Sequence, residues 1–99
     1  MKVVWSDRAL EQVREIFDYI ARDRPNVAVD IANGLFDHTD RLENTPEMGP
    51  VWKPESRSDL RFLLYTSYRI VYRVESDRVS VVSVRHTRRD VDASAGSIE

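Results

Sequence analysis

Apolar residues in this chain follow two different spacings. From Leu10 to Leu42 they recur every third or fourth position, and from Leu60 to His86 roughly every second. The first spacing places side chains on one stripe of a helix, and the second places them on one face of a strand. In the middle of the alternating stretch, Tyr68, Ile70, Tyr72 and Val74 fall on one side, and Arg69, Val71 and Arg73 on the other. Three strands are predicted: Leu60–Tyr65, Tyr68–Val74 and Val79–His86. Thr66-Ser67 and Glu75-Ser76-Asp77-Arg78 are short enough to join antiparallel neighbours, so the three form a meander. One face of that sheet can enter a core while the other carries positive charge.

The first half of the chain supplies the cover. Lys2–Trp5 reads as a short strand at an edge or end of the sheet. Ser6 is placed to cap a helix, with Asp7 and Glu11 near the positive end of its dipole. Leu10, Val13, Ile16, Phe17 and Ile20 form its apolar stripe. Asp23-Arg24-Pro25 ends that helix, and Pro25 suits the first position of another. In the second helix the buried stripe is Ala28, Ile31, Ala32, Leu35, Thr39 and Leu42. The short link makes the two an antiparallel hairpin.

Thr45–Ser58, punctuated by Pro46, Gly49, Pro50 and Pro54, is a loop. Its Met48, Val51 and Trp52 are expected to tack it onto the core, with a stacking role for Trp52 as the alternative. The expected fold is α+β, in the order β-α-α-β-β-β, with a helical hairpin packed on one face of a curved, mainly antiparallel sheet. One domain is expected over residues 1–90. The small, polar, acidic stretch 91–99 is expected to be a flexible tail.

Composition removes several kinds of chemistry. With no cysteine, neither a disulfide nor a Cys-based zinc site is available. His38 and His86 are the two histidines, which gives no support to a His-rich metal site, and no metal or cofactor is expected. Gly34, Gly49 and Gly96 are too scattered for a phosphate-cradling loop, and neither a nucleophile elbow nor HExxH occurs. His38, in mid-helix, reads as a solvated or boundary residue. No apolar run reaches the ~20 residues of a membrane span. No signal peptide is visible in MKVVWSDRAL, so a cytoplasmic location is expected.

Charge changes the picture more. The formal net charge of −2 hides a division. Residues 6–47 hold ten acidic groups against five arginines, and residues 57–89 hold eight arginines against Asp59, Glu75 and Asp77. The halves therefore carry −5 and +5, so a basic surface can attract an anionic partner despite the small total. The cations are nearly all arginine, whose planar fork of donors fits carboxylate or phosphate. For any one arginine, pairing with the acidic helices is the plainer alternative.

The ordered set of these pieces resembles the RelE/ParE superfamily of bacterial toxins from type II toxin–antitoxin pairs, on its ParE-like side. The resemblance rests on Tyr68-Arg69-Ile70-Val71-Tyr72-Arg73-Val74, on Val79-Ser80-Val81-Val82-Ser83-Val84, and on Arg85-His86-Thr87-Arg88-Arg89-Asp90. Ile20-Ala21 before Pro25, Leu42, and Pro46-Glu47-Met48-Gly49 extend it over residues 3–90. It implies a growth-inhibiting toxin neutralised by a cognate antitoxin. The antitoxin's amphipathic helix would lie beside the hairpin, and its extended segment would join an exposed sheet edge.

Two mechanisms occur in such a superfamily. RelE-like members cut mRNA on the ribosome without a metal, and for that branch the matching residues here are Arg61, Arg69, Arg85 and His86. The RNA 2′-OH attacks the adjacent phosphate, so protons must be moved and the phosphate steadied by cations. ParE-like members largely lack the acid–base set and poison DNA gyrase. Here no tyrosine follows Tyr72, and the loop before the sheet holds one lysine, Lys53. His86 fits either a strand-closing hydrogen bond to backbone or an acid–base role. The resemblance thus implies a gyrase-directed toxin whose target and antitoxin surface is Arg61, Arg69, Arg73, Arg85, Arg88 and Arg89. The alternatives are a ribosome-dependent ribonuclease and a non-toxic interaction module of the same fold.

Overall fold

In the computed structural model, which describes residues 1–53 and 59–88, the elements follow the predicted order. They are β1 (Lys2–Trp5), α1 (Asp7–Ala21), α2 (Pro25–Asp40), a 3₁₀ turn (Arg41–Glu43), β2 (Leu60–Tyr65), β3 (Tyr68–Val74) and β4 (Arg78–His86). The expected segment 91–99 lies outside the described residues. Ser6 caps α1, its hydroxyl accepting from the Ala9 N–H at 3.0 Å. Pro25 opens α2, where a missing N–H costs nothing.

The sheet order is β1-β4-β3-β2. β2, β3 and β4 are the antiparallel meander, and β1 runs parallel to β4 at one edge. Past the end of β1, α1 takes over that edge. The Ser6 N–H donates to the Val81 carbonyl at 3.0 Å, and Gln12 Oε1 accepts from the Val84 N–H at 2.8 Å.

The hairpin covers one face of the sheet. Ala9, Val13, Leu35 and Leu42 pack there on Leu63, Ile70, Tyr72, Val79, Val81 and Val84. Leu10 departs from the expected stripe. It is 43% exposed, and Ala9 sits in the core instead, because the buried face of α1 is turned slightly from the one the larger residues suggest. The small side chain lets α1 approach the sheet closely. Thr39 is buried as expected and donates to the Phe36 carbonyl, so its hydroxyl costs little there.

The long loop is partly strand. The Trp52 N–H donates to the Leu60 carbonyl at 2.8 Å and the Phe62 N–H to the Pro50 carbonyl at 3.0 Å, so residues 50–52 line the outer edge of β2. Trp52 then lies on the face away from the hairpin, against Leu60 and Val71 with Phe62 and Val82 beside it. Met48, expected to anchor the loop, is 39% exposed. Gly49 takes that role. It is buried, its N–H donates to the Tyr72 hydroxyl at 3.0 Å, and a Cβ there would run into the Phe62 carbonyl. Only a residue without a side chain can approach the sheet this closely.

Candidate functional site: the arginine face

Two local features decide which side chains share the open face. The two-residue turn Thr66-Ser67 pairs Tyr65 with Tyr68, Arg61 with Tyr72, and Leu64 with Arg69. Directly paired residues share a face, so Arg69, Val71 and Arg73 lie with Leu60, Phe62 and Leu64 on the open side. Arg61 goes to the other side with Tyr72. The second feature is in β4. Val71 pairs with Ser83 but Tyr72 pairs with Val81, which leaves Val82 as a bulge. The extra residue turns Ser83 and Arg85 to the open face, and Val84 and His86 to the hairpin side.

The arginines expected to act together therefore divide. Arg69 and Arg85 are direct cross-strand partners. The Arg69 guanidinium lies 4.9 Å from the Trp52 ring centre and 5.2 Å from that of Phe62. Stacking on two aromatic rings holds the fork flat, at a gain of about 0.5–2 kcal/mol depending on desolvation. Arg73 shares the face, but its Nε is 3.1 Å from Asp59 and its Nη1 is 3.8 Å from Glu75, so much of its charge is met internally. Arg61 is tied down on the other side, with Nη1 donating to the Gly49 carbonyl at 2.7 Å and the Glu47 carbonyl at 3.3 Å. It fastens the Pro46–Gly49 loop and does not join Arg69. Arg88 is exposed beyond β4, and Arg89 lies outside the described residues.

His86 is likewise separated from Arg69 and Arg85. Its ring meets Tyr68 edge-on, with centres 5.5 Å apart, and its Nδ1 accepts from the Arg88 N–H at 3.1 Å. That bond leaves Nε2 to carry the proton of the neutral ring. Burial pushes the Tyr68 phenol above its usual value, so it stays protonated at neutral pH. The histidine and the stacked arginine thus lie on opposite faces of one sheet.

The open face is rich in donors. On the same face, the indole N–H of Trp52 and the hydroxyl of Ser83 are buried, with no hydrogen-bond partner among the described residues. Buried polar groups are rarely left this way, and both lie beneath the surface of this face. The sequence showed the arginines and the aromatic character of Trp52. It did not single out Phe62 and Ser83. The parity of Phe62 with Leu60 and Leu64 along β2 was the signal for the first, and the doubled Val81-Val82 was the signal for the second.

Residues 3–91 match the family described as ParE toxin of type II toxin–antitoxin systems, parDE. The chain belongs to the ParE toxin family. Among solved structures, the chromosomal ParDE toxin–antitoxin system of P. aeruginosa resembles the toxin with a TM-score of 0.75 at 16% identity, over 87% of this chain and 95% of that one. The RelBE2 toxin–antitoxin complex of Mycobacterium tuberculosis gives 0.58 at 16% identity, over 86% and 95%. A YoeB/ParE toxin from Agrobacterium tumefaciens gives 0.57 at 20% identity, over 87% and 98%. No curated protein matches in sequence. The protein is a type II toxin of the ParE/RelE superfamily with the expected α+β fold. Among the described residues, no helix of this toxin is long and apolar enough to cross a membrane.

Proposed function

We propose that this toxin acts by binding DNA gyrase through the Arg69–Arg85 face, and that a cognate antitoxin neutralises it by covering the same face. The observation that carries the reading is the separation of His86 from Arg69 and Arg85 across the sheet. Cutting RNA at its own 2′-OH needs a proton-moving group within hydrogen-bond reach of the phosphate that the cations hold. A protein-binding surface needs no such group. Fixed guanidinium forks, a buried indole and an aromatic bed are what a desolvated binding surface uses.

Carboxylates of an antitoxin segment would suit the guanidinium forks of this face. Its extended part would pair with the outer edge of β1, which has no strand neighbour among the described residues. Residues 50–52 already occupy the first half of the β2 edge.

Purified toxin added to a supercoiling assay should inhibit gyrase or trap cleaved DNA. The Arg69→Ala/Arg85→Ala double variant should lose that effect while still unfolding cooperatively, with a midpoint lowered by no more than the lost stacking on Trp52 and Phe62 accounts for. Cleavage of ribosome-bound mRNA by the wild type, abolished in His86→Ala, would reverse the assignment in favour of a ribonuclease. A fold-competent toxin active in neither assay would leave an interaction module.

A further inference from the structure

At the far end of the hairpin, on the His86 side of the sheet, is a pocket of about 550 Å³. The turn between α1 and α2, the Thr66-Ser67 turn and the end of β4 line it, and it is broadly open to solvent. Its size is that of a ligand or side-chain site. Ile20, Val27 and Ile31 give it an aliphatic lining, and Val27 remains 39% exposed. Arg22, Arg24 and His86 line it as well, with Asp23 the acidic residue among them.

The two arginines are placed against the charge of the segment that carries them. Residues 6–47 are net −5, yet two of their five arginines sit together at this turn. Among the described residues neither makes an ion pair. Arg22 lies over the Tyr19 ring at 5.9 Å, and Arg24 makes no side-chain bond to the start of α2. The Thr66 backbone is a further sign. At φ 50° it is the one non-glycine residue with positive φ among those described, and β-branched residues rarely adopt that conformation. Strain of this kind concentrates at binding sites.

We infer that this pocket docks an acidic segment of a protein partner that inserts one aliphatic side chain between α1, α2 and the β2–β3 turn. The aliphatic lining takes the anchor, and Arg22 and Arg24 meet carboxylates flanking it. A single-stranded nucleic acid would stack its bases on aromatic faces. Here Tyr68 meets His86 edge-on and the exposed Tyr19 ring carries Arg22 over it, whereas the aliphatic lining suits an apolar side chain. The pocket and the Arg69–Arg85 face lie on opposite sides of the sheet, so both can be occupied together. The inference holds whichever macromolecule the toxin attacks.

The test uses a short fluorescent peptide of glutamate and serine with one central leucine, added to the full chain and followed by anisotropy. Wild type should bind it, with affinity falling as salt rises. Replacing the leucine by alanine, or the glutamates by glutamines, should weaken binding by about tenfold or more. Val27→Asp puts a carboxylate into the lining. Because Val27 is in the first turn of α2, that charge favours the helix and leaves the fold intact. It should abolish binding, as should Arg22→Ala/Arg24→Ala, which does not touch the core. Arg14→Ala, a cation elsewhere on the hairpin paired with Glu11, should bind as wild type does. No binding by wild type, or undiminished binding by Val27→Asp, overturns the inference. So does a preference for an oligoribonucleotide over the peptide, or occupation of the pocket by a second copy of this chain. Loss of gyrase inhibition without loss of peptide binding would sink only the function proposed above.

Discussion

Gly49 allows the strongest test of how the loop is held. Its backbone is gripped from two directions: the N–H bonds the buried Tyr72 hydroxyl at 3.0 Å, and the carbonyl accepts from Arg61 at 2.7 Å. The next residue's carbonyl accepts from the Phe62 N–H at 3.0 Å. A Cβ on residue 49 would run into the Phe62 carbonyl and lie 2.9 Å from the Tyr72 hydroxyl. The obstacle is mostly backbone, so the loop itself must move and loosen these bonds. Overpacking alone costs about 1–3 kcal/mol. A neutral hydrogen bond adds about 1 kcal/mol, and one to a charged donor about 1.5–3 kcal/mol. With partial relaxation, Gly49→Ala should destabilise the fold by about 3 kcal/mol, lowering Tm by more than roughly 10 °C.

Gly34→Ala is the internal control. There a Cβ meets only the hydroxyl end of Tyr65, a side chain that can swing away. The helix gains about 0.8–1 kcal/mol from the glycine-to-alanine change. Disturbing the Tyr65 contact with His38, centres 5.5 Å apart, costs a similar amount, about 0.5–1.5 kcal/mol. The net change should lie within about 1 kcal/mol of zero. Urea denaturation followed by circular dichroism reads both variants, and unchanged m-values keep the comparison valid. Equal losses in the two, or a Gly49→Ala change under about 0.5 kcal/mol, would refute the reasoning.

Two further outcomes are expected. Burial first, and the neighbouring Arg41 second, lower the His38 imidazole below its ordinary 6.5. The unfolded chain then binds more protons than the folded one, so this contribution to stability is complete above pH 6.5 and is lost as pH falls through the lower folded value. Denaturation midpoints measured from roughly pH 7 to 5 should show a shallower slope in His38→Gln than in wild type. At the β2–β3 turn, Thr66→Gly relieves a side chain held at positive φ, worth about 1–2 kcal/mol, against about 0.5–1 kcal/mol for glycine's greater freedom when unfolded. Thermal melts should therefore show a gain of up to about 1 kcal/mol, and a loss would show that the turn is not strained.

Much of the toxin was readable from local rules. Ser6 and Pro25 marked helix starts, Thr66-Ser67 marked a hairpin, and a 3.6-residue spacing gave way to a 2-residue one at Leu60. These features work within a few residues, so no distant contact is needed to see them. The division of Arg61 from Arg69 was also open to this reading, since a two-residue turn alone sets the parity of the pairs. Trp52 was expected to tack the loop down, and it does so, but on the open face where it also becomes the bed for Arg69.

What the chain determined by itself was the order of elements, the buried stripes and the presence of an arginine-rich sheet. Which arginines act together was decided by the tertiary structure. A one-residue bulge at Val82 sends Arg85 to the open face and His86 to the hairpin side. Without it, strict alternation from Val79 would exchange the two. The bulge persists because partners from α1 and β3 satisfy the backbone around it, including Gln12 at the Val84 N–H, seventy-two residues away in sequence. Pattern along the chain specifies which residues alternate, but only packing between distant elements chooses where the alternation slips.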